Sequence, residues 1–162
     1  MINYRFPSPS EFAPISIKDS ADIGHHVHIA LEENRGSITL ETAKEFRLVF
    51  NPDSEAPRWS ELGIALSAKG WLDCRSIHVK YRASSHQPSL VQTALRLYSE
   101  KNFHDHFADS PNEVGIAPQH FNADFALTPR LLDQVHACDL HLFFDNEANT
   151  FDLHDLVVTG FR

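Results

Sequence analysis

Cysteine is scarce. Cys74 and Cys138 are the only two, too few for a disulfide framework, and without C-x-x-C spacing they read as buried, inert thiols. Positive charge is in the minority, with 14 Lys and Arg against 22 Asp and Glu and a formal charge of −8 at pH 7. Such an acidic chain opposes contact with a phosphate backbone, so nucleic acid is not an expected partner. No apolar run approaches the roughly 18 residues of a membrane helix. The start, "MINYRFPSPSEFAPISI", has no basic segment leading into an apolar stretch and a small-residue cleavage site. These two absences predict a soluble, reduced, cytoplasmic protein with no membrane partner. The motifs of enzyme chemistry are missing too: there is no G-x-S-x-G elbow, no P-loop and no G-x-G-x-x-G. Nothing marks the chain as an enzyme.

What is plentiful is phenylalanine, twelve against one methionine, and histidine, eleven in 162 residues. That length is most simply one domain with its own core. Residues 1–14 carry Pro7, Pro9 and Pro14 among polar neighbours and read as an extended N-terminal arm; residues 15–162 read as a single domain. From residue 22 the dominant period is two. Ile23, Val27, Ile29 and Leu31 share one parity, and His26 and His28 the other. After the turn "NRG", Ile38 and Leu40 resume the alternation, followed by Phe46, Leu48 and Phe50. Further strands are predicted at Leu62/Ile64/Leu66, Ile77/Val79/Tyr81, Leu95/Leu97, Phe121/Ala123/Phe125/Leu127 and Leu140/Leu142/Phe144. "TPRLLDQV", 128–135, has Thr128 as an N-cap and Pro129 at the first helical position, which predicts one short helix. In the last segment Phe151 and Leu153 share one parity while Leu156 and Val158 share the other; a bulge near His154–Asp155 keeps both pairs inward. Short strands at this spacing, polar on one side, make an all-β, antiparallel two-sheet sandwich, with a jelly roll as the expected version.

The histidines raise the question of a metal. Along a strand His26 and His28 point the same way, roughly 7 Å apart. "HVHIALE" is similar to the middle of the cupin metal motif, which would make His26, His28 and Glu32 ligands of a metalloenzyme. Against this, Ser20 and Thr39 stand where cupin glycines would be, the second cupin motif is absent, and Glu32 lies about 13 Å from His28 on a straight strand. "FHDHF" offers a second pair, His104 and His106, turned outward between a buried Phe103 and Phe107. The plainer reading is solvent-facing imidazoles and no bound metal.

Two stretches carry a family resemblance. "SITLETAKEFRLVFNP" and the closing "LHLFFDNEANTFDLHDLVVTGF" together resemble the jelly-roll carbohydrate-binding modules of the galactose-binding-like group, over roughly residues 20–160. The resemblance implies a non-catalytic module that binds a glycan or another small polar ligand. His154 stands in place of the first acidic residue of the family's terminal motif, which argues against its structural calcium, so no cofactor is expected. Sugar sites combine an aromatic plate with planar polar groups. Outward parity nominates Arg47, His78, Arg96, Tyr98, Asn122, Asp124 and His141 as ligand-binding residues, with Trp71 after the "SAKG" turn; Trp59 reads as core. Arg96 and Tyr98 share a face about 7 Å apart. A rival reading is an assembly protein that forms a homodimer through one sheet face, where Val49 and Phe143 turn outward.

Overall fold

The period-two segments become strands in the computed structural model, which describes residues 1–66, 70–145 and 149–162. In chain order they are β1 (Ile2–Arg5), β2 (Ile15–Ile17), β3 (Ser20–Gly24), β4 (Val27–Leu31), β5 (Gly36–Glu41), β6 (Phe46–Pro52) and β7 (Ser60–Ala65). There follow β8 (Ser76–Ser85), β9 (Ser89–Tyr98), β10 (Phe103–Phe107), β11 (Asn112–Val114), β12 (Gln119–Ala126), β13 (Ala137–Phe144) and β14 (Thr150–Phe161). One sheet runs β12-β8-β14-β6-β5-β2, with β1 also on β14; the other runs β10-β9-β13-β7-β4-β3, with β11 also on β9. Neighbouring strands are antiparallel, as the β13–β9, β13–β7 and β4–β7 ladders that position the site illustrate. This is the expected antiparallel sandwich.

Its core lies between the sheets, where alternate residues of each strand meet. Ile29, Leu62, Ile64, Leu95, Leu140 and Leu142 face Ile38, Leu40, Phe46, Leu48, Val79 and Val158, all without solvent exposure. The register of β14 against β8 shifts between Leu153 and Asp155, and Phe151, Leu153, Leu156 and Val158 are all buried. The bulge therefore does what the change of parity required.

Several expectations are corrected. Residues 1–14 are more than an arm. β1 pairs with the Val157–Gly160 stretch of β14, whose edge β6 leaves uncovered because β6 pairs only with Thr150–Leu153. A short 3-10 turn at Pro9–Glu11 then brings Phe6 and Phe12 against Phe46, with ring centroids 4.9 and 5.1 Å from it. The prolines interrupt strand pairing there, but they do not prevent burial of the two rings. Thr128 accepts a hydrogen bond from the Leu131 N–H as a cap would, yet 128–135 stays a pair of turns, closed by Gln134 at a φ of +62°. His26 is not on a strand. It forms, with His25, the two-residue turn between β3 and β4, both at positive φ (65° and 55°), the conformation that matches the twist of a tight hairpin. The tryptophans exchange roles: Trp59 is 44% exposed and Trp71 is 2% exposed, packed beside Gly160. Residues 67–69 of the "SAKG" turn lie outside the described residues.

Candidate functional site

The outer face of the β10-β9-β13-β7-β4-β3 sheet carries an uncommon density of charge that solvent barely reaches. Strand register assembles it in rows. Arg96 on β9 stands between Asp105 on β10 and Asp139 on β13. In the next row, Ala94, His141, Gly63 and His28 follow one another across β9, β13, β7 and β4. Phe143 and Glu61 neighbour each other in the row beyond.

Side-chain contacts lock these rows together. Arg96 grips Asp105 with two hydrogen bonds, Nε to Oδ1 at 2.8 Å and Nη2 to Oδ2 at 3.0 Å, and reaches Glu61 with Nη1 at 3.4 Å. Its guanidinium lies 4.4 Å from the Phe103 ring centroid and 5.5 Å from that of Phe143, close enough for a cation–π attraction. The Tyr98 hydroxyl donates to Asp139 Oδ2 at 2.9 Å. Burial pushes the Tyr98 phenol up, and the bond to Asp139 pushes it further, so it stays a donor at every physiological pH.

Glycine makes room at the centre. A Cβ on Gly63 would overlap the His28 imidazole, so its absence lets that ring lie over β7 toward His141, 5.2 Å away between centroids. Glu61 Oε1 is 3.6 Å from His28 Nε2, and Glu61 Oε2 is 3.2 Å from His141 Nδ1. His141 itself is fully buried, stacked on Phe143, and neither ring nitrogen has an aligned hydrogen-bond partner. His28, Glu61 and His141 are the group of side chains able to hold a metal among the described residues: one ligand atom from each lies within 4.8 Å of the others.

Desolvation by burial raises the Glu61 pKa, but the neighbouring His141, His28 and Arg96 overcome that and hold its carboxyl well below the usual carboxylate range. A depressed folded value means that the ionised carboxylate contributes stability above the unfolded value, and that this contribution is lost as pH falls below it. Urea melts should therefore show wild type ahead of Glu61→Gln at neutral pH, with the gap narrowing by about pH 3. An equal gap at both pH values would contradict the assignment.

The residues nominated from sequence divide between two faces. Arg96, Tyr98 and His141 come together here. Arg47 lies on the opposite sheet, held bidentately by Asp152 at 2.7 and 2.9 Å. His78, Asn122 and Asp124 also lie on that sheet, His78 Nδ1 being 2.6 Å from Asp124 Oδ1. His78 borders a groove of about 620 Å³ lined by Lys80, Arg82, His120 and Phe161. Trp71, a core residue, reaches neither face.

The alternative metal set is dispersed. His26 is in its turn, and Glu32 accepts from Arg58, which draws its pKa down to about 2. On β10 the expected orientation is reversed. Phe103 and Phe107 are 56% and 50% exposed beside Asp105, while His104 and His106 align with Leu97 and Leu95 on the inward side. β10 is an edge strand, so its inward side is only partly covered, and His106 packs near Phe125. Both cysteines are free and buried, as expected, and burial raises the Cys138 thiol to about 12.

Glu61, Asp105 and Asp139 were not singled out from sequence. Each has the outward parity of its strand, but so do many of the other acids. Only strand order brings these three around Arg96.

No protein-family model and no curated protein matches this chain. Solved structures do match its fold. The family 22 xylan-binding domain from Paenibacillus barcinonensis Xyn10C has 9% identity and a TM-score of 0.53, over 93% of this chain and 96% of that one. The C-terminal family 22 carbohydrate-binding module of Clostridium thermocellum Xyn10B has 11% identity and a TM-score of 0.55, over 88% of this chain and 84% of that one. The family 11 module from Clostridium thermocellum, solved with a β-1,3-1,4-mixed-linked tetrasaccharide, has 8% identity and a TM-score of 0.54, over 98% and 96%. The chain has the jelly-roll fold of carbohydrate-binding modules.

Proposed function

We propose that this protein is a non-catalytic carbohydrate-binding module whose ligand lies on the outer face of the β10-β9-β13-β7-β4-β3 sheet. The observation that carries the reading is the join of exposed rings to a fixed polar floor. Phe103 and Phe107 stand open at the rim, and Arg96 beneath Phe103 is held in one orientation by Asp105. A pyranose has an apolar face that stacks on such a ring and a rim of hydroxyls that pairs with planar polar groups. Side chains already fixed by their neighbours lose little freedom on binding, which favours affinity. Proteins of this fold include xylan-binding domains and a module solved with a β-1,3-1,4-mixed-linked tetrasaccharide, so those are the ligands to try first.

Calorimetric titration with xylo-oligosaccharides and β-1,3-1,4-mixed-linked oligosaccharides tests the reading. Phe103→Ala should weaken binding about tenfold, the equivalent of about 1.4 kcal/mol. Phe161→Ala, on the opposite sheet, should leave it unchanged. Wild type that binds no oligosaccharide, or binding that depends on Phe161 instead, rejects the proposal.

The same exposed Phe103 and Phe107 on an edge strand favour a second reading, self-association through this face. Sedimentation would then show a dimer that Phe103→Ala and Phe107→Ala dissociate.

A further inference from the structure

We infer that His28, Glu61 and His141 form a site for one divalent transition-metal ion, zinc being the best fit. The inference is independent of carbohydrate binding.

The separations suit the ion. Zinc bonds of about 2.0–2.1 Å to nitrogen and oxygen put tetrahedral ligands roughly 3.4 Å apart. Glu61 Oε2 stands 3.2 Å from His141 Nδ1 and Oε1 stands 3.6 Å from His28 Nε2, and one ligand atom from each of the three residues lies within 4.8 Å of the others. Two imidazoles and one carboxylate are a zinc-binding set that leaves a fourth position open to water or a ligand. Here His28, 30% exposed, lies on the solvent side, while the other two ligands are buried.

Three features show that the site is built and not a chance meeting of surface groups. The first is His141: a fully buried imidazole whose two nitrogens both lack a hydrogen-bond partner is costly, and a metal bond would satisfy the one facing Glu61. The second is the environment of its other nitrogen. His141 Nε2 faces Asp139 Oδ2 at 3.9 Å, and that oxygen is fixed by the Tyr98 hydroxyl. Metal-bound histidines commonly direct the second nitrogen at a carboxylate, which selects the tautomer with a free Nδ1 lone pair. The third is Gly63, whose missing side chain is what admits the His28 ring. Arg96 does not occupy the place of the ion, because its two short bonds go to Asp105 and its contact with Glu61 is long and on Oε1.

The test uses untagged protein stripped with a chelator and titrated with zinc by calorimetry, and with cobalt by visible absorption. We expect one ion per chain and a cobalt spectrum of low-coordinate character. His28→Ala should abolish this binding while circular dichroism shows the fold retained, since that ring is partly exposed. Gly63→Ala, which only displaces the ring, and Asp139→Asn, which loosens His141, should each weaken affinity roughly tenfold or more. The paired substitution His104→Ala with His106→Ala should change nothing. Wild type that takes up neither ion overturns the inference. So does binding that survives His28→Ala or disappears with His104 and His106, because the ion then sits on other imidazoles.

Discussion

Arg96→Ala is expected to destabilise the protein by about 2–4 kcal/mol, somewhat less than the loss for a fully buried pair because the site is not completely closed. The guanidinium is 15% exposed and is the cation shared by Asp105 and Glu61. Its removal strands two carboxylates whose own exposures are 17% and 8%, and neither can recover full hydration without opening the sheet face. Arg96→Lys keeps the charge but loses the fork that spans both oxygens of Asp105, so it should recover only part of the loss. Adding Asp105→Ala to Arg96→Ala should cost less than the sum of the two single changes, since the carboxylate is then no longer left unpaired. Urea denaturation of the four variants measures each quantity. A loss for Arg96→Ala below about 0.5 kcal/mol, the range of ordinary surface substitutions, would show that the network is solvated and carries no load. The same variant should lose oligosaccharide binding, because the polar floor beneath Phe103 disappears with it.

Phe46→Ala should cost about 3–5 kcal/mol, the range for removing a buried aromatic ring. Phe46 has no exposed surface and is the ring on which Phe6 and Phe12 converge, one stacking edgewise at 4.9 Å and the other at 5.1 Å. Its loss opens a cavity and also loosens the first dozen residues, whose hold on the sandwich is otherwise the short β1 ladder, a few backbone bonds and side-chain contacts with His25, Thr42 and Asp155. Limited proteolysis should accordingly cut the N-terminal segment faster in this variant. Phe12→Ala, tested alone and together with Phe46→Ala, should show a coupling of about 0.5–3 kcal/mol, as contacting residues do. Additive losses would mean that the N-terminal rings pack without Phe46.

Much of the architecture was legible because a strand writes its burial into every second residue. The runs at Ile38/Leu40, Phe46/Leu48 and Ile77/Val79/Tyr81 are buried as their parity requires, and the parity change in the last strand correctly located its bulge. Failures occurred where alternation was broken or shared. In "GHHVH" the period continues through a turn: the two-residue hairpin pairs Gly24 with Val27, an odd step that would reverse the parity, and the register shift between Asp22 and Gly24 restores it. In "FHDHF" aromatic and imidazole residues alternate, and hydrophobicity chose the wrong side because an edge strand leaves both sides partly open. At Trp59 and Trp71, and in the arm with Phe6 and Phe12, no period existed to read.

The candidate site divides along the same line. Outward parity identified Arg96, Tyr98, His28 and His141 from sequence, because direction on a strand is a local property. Sequence also made the chain acidic overall, and it supplied the glycine at 63 without revealing its use. Tertiary structure alone decided that Glu61, Asp105 and Asp139 surround Arg96, and that His28 crosses Gly63 to reach His141. Those meetings depend on strand order, which places β4, β7, β9, β10 and β13 side by side although they span residues 27 to 144. Side chains that alternation assigns to water are enclosed there by their neighbours on adjacent strands, and enclosure is what turns scattered charges into a low-dielectric network.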